Sequence, residues 1–352
     1  MSSPYAYEER IAIAAVRRAC GLTSSVFETL IKNETLTKGD KSPVTVGDFA
    51  AQALISTVLH NVFPEDPIVG EEDASDLRVE SGKEMRDRIV GLANDALKAP
   101  LAAGDDAAWG VGPGKELTAN GILDAIDRGN HPGGPTGRMW TIDPIDGTKG
   151  FLRGEQYAVC LSLIVDAKVQ VGVIGCPNLL IDPSQPEKGT GAIFSAVRGH
   201  GARQLTLEGT DPITLRIPPT TVENLKFLES VEAAHSSHSF NDRVTEVLGV
   251  KAAPVRMDSQ AKYAALCRGE GGSYLRMPTG VGYREKIWDH APGEVLVVEA
   301  GGVVTDSRGQ ALNFGLGRTL GENFGVIAAG KDIHPQVLAA VQAVQAEPKA
   351  KV

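Results

Sequence analysis

The stretch Trp140-Thr141-Ile142-Asp143-Pro144-Ile145-Asp146-Gly147-Thr148 holds the densest set of residue types that could do chemistry. Met139 to Ile142 reads as a strand that delivers Asp143 to its C-terminal end. Pro144 fixes φ, removes an N–H and is predicted to stop the chain from continuing in the sheet. Asp146 follows three residues after Asp143, so a turn brings both carboxylates to one point. Gly147 and Thr148 then offer backbone N–H groups and a hydroxyl where a helix can begin, and a helix start attracts phosphate. Two carboxylates plus a freed backbone carbonyl suit a hard divalent cation such as Mg²⁺. The same residues read equally well as a plain Asp-Pro turn with Asp146 as an N-cap.

Other acidic groups are individually bland. Gly70-Glu71-Glu72-Asp73 follows a short apolar run and reads first as a solvated charge cluster. Thr45-x-x-Asp48 has the spacing of a capping box at a helix start. Asp289, in Trp288-Asp289-His290, precedes a helical stretch and could be its N-cap. Together they supply the acids of a multi-metal site.

Three further motifs fail on their details. Ser259-Gln260-Ala261-Lys262 matches S-x-x-K, but neither S-D-N nor K-T-G occurs in the chain, which argues against a serine β-lactamase. His235 and His238 lie three apart with no nearby Cys or third His, so zinc is not indicated. Gly110-Val111-Gly112-Pro113-Gly114-Lys115 looks like a phosphate loop, yet Trp109 stands where the first Walker glycine belongs and Glu116 where Ser or Thr does.

These residues need elements to position them. Tyr5 to about Ile31 shows helical apolar spacing, as does Thr45 to about Val62, and Ile68-Val69 reads as a short strand. Residues 76–137 are the least regular, with one helix-like piece from Lys83 to Lys98. Their Gly-rich parts read as surface loops or a mobile flap over a site. Val159 to Val165 and Val169 to Ile174, split by Asp166-Ala167-Lys168, read as a hairpin, and Ala192 to Val197 adds a strand. Pro218-Pro219 is the best boundary. Beyond it strands (Phe227 to Val231, Tyr274 to Met277, Val303 to Thr305, Val326 to Ala329) alternate with helical stretches. The latter are Asp242 to Leu248, Gln260 to Arg268, Gly293 to Ala300 and Pro335 to Ala346, an α/β pattern. Gly301-Gly302 stops the third of these helices.

Composition narrows the class. The 352 residues suggest two domains at about 150 each. With 42% apolar residues the chain has ample surface to bury, which excludes wholesale disorder. A net charge of −9 argues against binding a nucleic-acid polymer. Cys20, Cys160, Cys176 and Cys267 are scattered, as expected of reduced, buried thiols in a cytoplasmic protein. Neither a signal peptide nor a membrane span is legible. An acidic protein that binds phosphate needs metal ions or local basic groups.

Asp143-Pro144-Ile145-Asp146-Gly147-Thr148, with Gly70-Glu71-Glu72 before it and Trp288-Asp289-x-Ala291-x-Gly293 after it, resembles the lithium-sensitive, Mg²⁺-dependent inositol monophosphatase superfamily of phosphomonoesterases. Five further segments make the finer match to the 3′(2′),5′-bisphosphate nucleotidases, so that nearly the whole chain is covered. They are Lys149 to Gln156, Ile174 to Asn178, His235 to His238, Asp258 to Tyr263 and Glu285 to His290. The resemblance implies the layered αβαβα sugar-phosphatase fold shared with fructose-1,6-bisphosphatase. An α+β domain, 1–218, would carry most metal positions, and an α/β domain, 219–352, would carry Asp289 and the nucleotide-binding residues. It implies removal of the 3′-phosphate of adenosine 3′,5′-bisphosphate, with activity on 3′-phosphoadenylyl sulfate, inhibition by Li⁺ and a place in sulfate assimilation.

In that family's pattern Glu71, Asp143, Asp146, Asp289 and the Ile145 carbonyl hold two or three Mg²⁺, and Glu72 lies behind them or on the surface. Asp48 and Thr148 orient and deprotonate the attacking water. Gly147, Thr148, His235, Asp258, Ser259, Lys262 and Arg276 surround the substrate, a small nucleotide. As plain structure, Ser259 would be a cap, Lys262 and Arg276 solvated, and His235 a loop residue. The chemistry is coherent by itself, because an acidic protein can attack an anionic ester only where metals neutralise the site. An inositol polyphosphate 1-phosphatase would use the same metals on another ring, and a nucleotide sensor would use the fold without turnover. The expected protein is a monomer with no membrane partner. Pro292 and the short, Pro-rich 183–190 segment depart from the family pattern.

Overall fold

The computed structural model describes residues 3–32, 42–232, 238–278 and 282–347, and their side chains except those of 30–32 and 42–45. The two leading apolar periodicities become α1 (Ala6–Lys32) and α2 (Ser42–Val62). α2 is almost wholly enclosed, with Ala50, Ala53, Leu54 and Ile55 buried. It begins before Thr45, so Thr45 is a helical residue rather than a cap and the capping-box reading of Asp48 fails.

After β1 (Ile68–Gly70) and α3 (Lys83–Lys98) comes a helix the sequence reading missed, α4 (Ala119–Asp127). Its N-cap Thr118 accepts the Gly121 N–H at 3.1 Å, and Ile122, Leu123, Ala125 and Ile126 are buried. Trp109 and Val111 in the Gly-rich stretch are buried as well. The Gly-rich stretches 104–114 and 131–137 are surface loops and turns as expected, except that Trp109 and Val111 anchor the first of them in the first core. α4 is short and interrupted by Asn, Gly and Asp, which masks the period.

β2 (Arg138–Asp146) runs through Pro144 instead of stopping at Asp143. Its pairing with β3 (Ala158–Val165) shifts register between Asp143 and Asp146, and a bulge of this kind tolerates a proline because no ladder N–H is needed there. α5 (Thr148–Arg153) lies between these strands in the chain. β3 turns into β4 (Lys168–Leu180) through Asp166 and Ala167 at φ 47° and 62°, as a two-residue hairpin requires. β5 (Thr190–Val197), β6 (Ala202–Thr206) and β7 (Ile213–Leu215) complete a seven-stranded sheet in sequence order. Only β1 and β2 pair in parallel there.

The rest of the chain builds a second sheet. Its elements are β8 (Phe227–Glu229), α6 (His238–Leu248), β9 (Val255–Arg256), α7 (Ala261–Cys267) and β10 (Ser273–Arg276). α8 (Ala291–Glu299), β11 (Gly302–Thr305), β12 (Val326–Gly330) and α9 (His334–Gln345) follow. The strand order is β11-β12-β10-β8-β9.

Three cores divide the layers. α1 to α4 cover one face of the first sheet, α7 and α8 fill the space between the two sheets, and α6 and α9 cover the far face of the second. This is the αβαβα arrangement implied by the resemblance. The middle layer is tight. A Cβ on Gly293 would lie 2.1 Å from the Tyr263 ring, and one on Gly172 would lie 2.5 Å from Val295. Pro218-Pro219 lies in the chain between the sheets, while the core between them draws on both. The four cysteines are buried and unpaired. No helix among the described residues is long and apolar enough to cross a membrane.

Because α4 is part of the first core, Ile122→Ala should cost about 2–5 kcal/mol in urea unfolding. A cost within ordinary surface scatter would restore the loop reading.

Candidate active site

The parallel pairing of β1 with β2 sets Gly70 beside Ile142, so Glu71, just past the end of β1, follows beside Asp143, which is still within β2. The bulge then turns Asp146 toward the same space, and the segment before α8 brings Asp289 in from the second half of the chain. All four carboxylates, with Ile145, Gly147 and Thr148, line one cleft of about 460 Å³.

Asp143 is buried and its Oδ1 has no hydrogen-bond partner. Burial pushes its pKa well up, and the charges of Glu71, Asp146, Asp289 and Asp48 add to the rise. Asp289 is raised by burial too, against the pull of Arg276. Asp146 is raised by burial, while Lys262 and the Gln260 N–H, which donates to its Oδ2 at 2.6 Å, oppose the shift. Glu71 opens onto the cleft, yet the protein packed round its carboxyl raises its pKa against a hydrogen bond with Asp143. Four carboxylates that resist ionising together, one with an orphaned oxygen, have the donor chemistry that could hold a divalent cation.

The simpler readings of these acids fail. Gly147, at φ 87°, occupies the N-cap position of α5, and His290 occupies that of α8, so neither Asp146 nor Asp289 is a cap. Thr148 is exposed, with its Oγ1 donating to the Ile145 carbonyl at 3.4 Å. Asp48 does not line the cleft. It is buried on α2, and burial together with the charges of Glu72 and Glu71 raises its pKa well above the usual range.

Asp258, Ser259, Lys262 and Arg276 of the predicted nucleotide residues line the same cleft, but the two cations among them are already engaged. Lys262 is buried rather than solvated, with Nζ donating to the Met257 carbonyl at 3.0 Å and the Ser259 carbonyl at 2.8 Å. Burial brings its pKa down to about 8, with Asp146 opposing. Ser259 holds φ 64° and faces the cleft; its Oγ accepts the Ala261 N–H at 3.1 Å, although Gln260 occupies the N-cap position of α7. Arg276 pairs with Glu285 at 3.1 Å and stands 3.8 Å from Asp289. Asp258 forms an ion pair with Arg153. His235 lies outside the described residues. Its neighbour His238 meets the Ser230 carbonyl through Nε2 at 3.0 Å.

Sequence reading missed the residues that brace this cleft. Gln52, one turn beyond Asp48 on α2, donates to the Glu72 carbonyl at 2.6 Å and accepts the Glu72 N–H at 3.0 Å. A Cβ on Gly70 would lie 2.6 Å from Gln52 Oε1, so that glycine makes room for the clamp. Glu285, Asp289 and His290 place their ligand atoms within 4.8 Å of one another. Both ring nitrogens of His290 are taken, Nδ1 by the Tyr263 hydroxyl at 2.8 Å and Nε2 by Glu285 at 3.1 Å, so this trio is a brace behind Asp289. Burial pushes the Glu285 carboxyl up, but the His290 hydrogen bond and the Arg276 charge outweigh it and hold the pKa down at about 2.

Comparison with known proteins shows the family and the fold. The model of the Inositol monophosphatase family matches residues 6–346. A 3′(2′),5′-bisphosphate nucleotidase of Schizosaccharomyces pombe is 48% identical over 345 residues, covering 96% of this chain and 95% of the relative. One from Emericella nidulans is 46% identical, covering 97% and 99%. Among solved structures, an inositol monophosphatase from Zymomonas mobilis superposes with a TM-score of 0.60 at 17% identity, covering 97% of this chain and all of that one. One from Anabaena gives 0.58 at 18%, covering 97% and 96%. At these identities the solved structures speak for the fold.

The depressed pKa of Glu285 fixes a sign for pH dependence. A carboxylate that is easier to ionise in the fold than in the unfolded chain, where its pKa is about 4.3, stabilises fully above that value. The contribution is lost as pH falls toward about 2. Glu285→Gln should therefore lower the melting temperature at pH 6, and the gap to the parent should narrow between pH 5 and pH 3. An unchanged gap would mean that Glu285 is not charged in its pairing with Arg276.

Proposed function

The chain belongs to the inositol monophosphatase family, and on that premise we propose that it is a 3′(2′),5′-bisphosphate nucleotidase, converting adenosine 3′,5′-bisphosphate to AMP and phosphate. The observation that carries the chemistry is the ring of Glu71, Asp143, Asp146 and Asp289 with Asp143 Oδ1 unpartnered. The substrate is supported by the names of relatives 46–48% identical over nearly the full chain.

In this reading Glu71, Asp143, Asp146, Asp289 and the Ile145 carbonyl hold two or three Mg²⁺, which when bound neutralise the ester and acidify water. The backbone N–H groups of Gly147 and Thr148 meet the equatorial oxygens, where charge spreads in the transition state. Thr148 orients the attacking water. Asp48, buried on α2 and outside the cleft lining, takes its proton by way of Thr148. Ser259 and Asp258 face the adenosine and 5′-phosphate with His235. Lys262 and Arg276 supply positive charge there while staying tied to their protein partners. The reading extends to 3′-phosphoadenylyl sulfate, to inhibition by Li⁺, and to a monomeric cytoplasmic enzyme of sulfur assimilation.

Mg²⁺-dependent phosphate release should be fastest from adenosine 3′,5′-bisphosphate when measured beside inositol 1,4-bisphosphate and inositol 1-phosphate. Preference for an inositol phosphate would keep the site and discard the substrate, and silence on all three would indicate a sensor. Asp48→Asn should lower kcat by about 10²–10⁴-fold. Unchanged release would remove Asp48 from proton transfer. Asp143→Asn should abolish turnover yet raise the melting temperature in EDTA, because a carboxyl that the fold makes costly to ionise, with one oxygen unpartnered, is removed. A lowered melting temperature would mean that the ring is not under charge stress. Activity unaffected by millimolar Li⁺ would overturn the expected inhibition.

A further inference from the structure

Glu71 and Asp289 reach the cleft from opposite halves of the chain, so some contact must set their separation. Arg318 spans that gap. Its Nη2 donates to the carbonyl of Gly70, the residue before Glu71, across 248 positions of sequence. Its Nη1 donates to the Gly129 carbonyl at 2.8 Å and the His131 carbonyl at 3.2 Å. Those residues run beside β1: the Gly70 N–H donates to the Gly129 carbonyl at 2.8 Å, and the His131 N–H to the Ile68 carbonyl at 3.2 Å. One edge of the guanidinium therefore grips the whole strand end that presents Glu71.

Its flat face does something else. It lies over the ring of Trp288, 4.9 Å from the centroid, and Trp288 is the residue before Asp289. The Arg318 backbone is fastened to the same segment. The Ile287 N–H donates to the Arg318 carbonyl at 3.2 Å, and the Leu320 N–H to the Glu285 carbonyl at 2.8 Å. Arg318 thus moves with the chain that carries Asp289 while holding the chain that carries Glu71. Among the described residues it has no carboxylate within ion-pair distance, so all of its described hydrogen bonds go to backbone carbonyls. Only a planar fork with a stackable face can serve both sides at once, which an ammonium cannot.

We infer that Arg318 is a positioning residue that fixes the spacing of Glu71 and Asp289 across the cleft, and so sets the site's affinity for divalent cations. The inference rests on the metal-site reading above. Outer partners that orient ligands typically contribute 10–100-fold to metal affinity.

The test is Mn²⁺ binding to the full chain, followed by electron paramagnetic resonance, with Asp143→Asn locating the site. Arg318→Met should weaken Mn²⁺ binding by about 10–100-fold, with Arg318→Lys between it and the parent. Val341→Ala, buried in the third core, provides a destabilised control that should bind Mn²⁺ like the parent. Mn²⁺ affinity equal to the parent's in both Arg318 variants would overturn the inference while leaving the metal site standing. If Arg318→Met does not fold, Arg318→Lys decides alone by the same criterion. If the parent binds no Mn²⁺, or Asp143→Asn binds it unchanged, the metal-site reading falls and takes this inference with it.

Discussion

The burial of Glu71, Asp143, Asp146 and Asp289 together around one cleft is the constraint on which the rest of this structure depends. Each is harder to ionise than a free carboxylate, with burial first among the causes. Such a cluster lowers stability unless positive charge joins it, so the fold must supply that stability elsewhere. It does so with three continuous cores, the middle one closed by glycines that let α8 approach both β4 and α7. The cluster sits where two sheets meet, and its members come from three separate chain segments. No single element could hold them against one another.

The protein sets cations around this ring and ties three of them to other partners. Lys262 is spent on the Met257 and Ser259 carbonyls, Arg276 on Glu285, and Arg318 on Gly70, Gly129 and His131. None closes directly onto Asp143, whose Oδ1 stays unpartnered. The arrangement tempers the field without filling the place a cation would take. It also explains how a chain of net charge −9 can carry a site for an anionic ester.

Rigid braces stand behind the acids. Gln52 ties Glu72 to α2, Arg318 ties Gly70 to the segment of Asp289, and the Tyr263–His290–Glu285 chain backs Arg276. Ser259 is kept in a left-handed conformation, unusual for a side-chain-bearing residue, between the carbonyl grip of Lys262 and its own hydrogen bond from the Ala261 N–H. Strain of that kind persists only where surrounding structure over-determines it, and here it lies on the cleft wall.

Local chemistry was enough to read α1, the β3–β4 turn, the strand leading to Asp143 and the alternation after Pro219, because each depends on periodicity or turn residues a few positions apart. The acids of the ring were legible as residue types, and their grouping came from family resemblance. What the sequence by itself determined, then, was which groups could bind a cation and a phosphate. Tertiary structure decided the rest. Pro144, locally a stop, became a bulge because β3 pairs on both sides of it. α4 gained its stability from α2 and α3 rather than from its own weak pattern. Asp48 passed from a cap to a buried acid once α2 began at Ser42. Lys262 and Arg276 changed from free cations to engaged ones through partners their composition does not announce. Arg318 is the extreme case, since a side-chain hydrogen bond to a backbone carbonyl 248 positions away leaves no local period or motif to read.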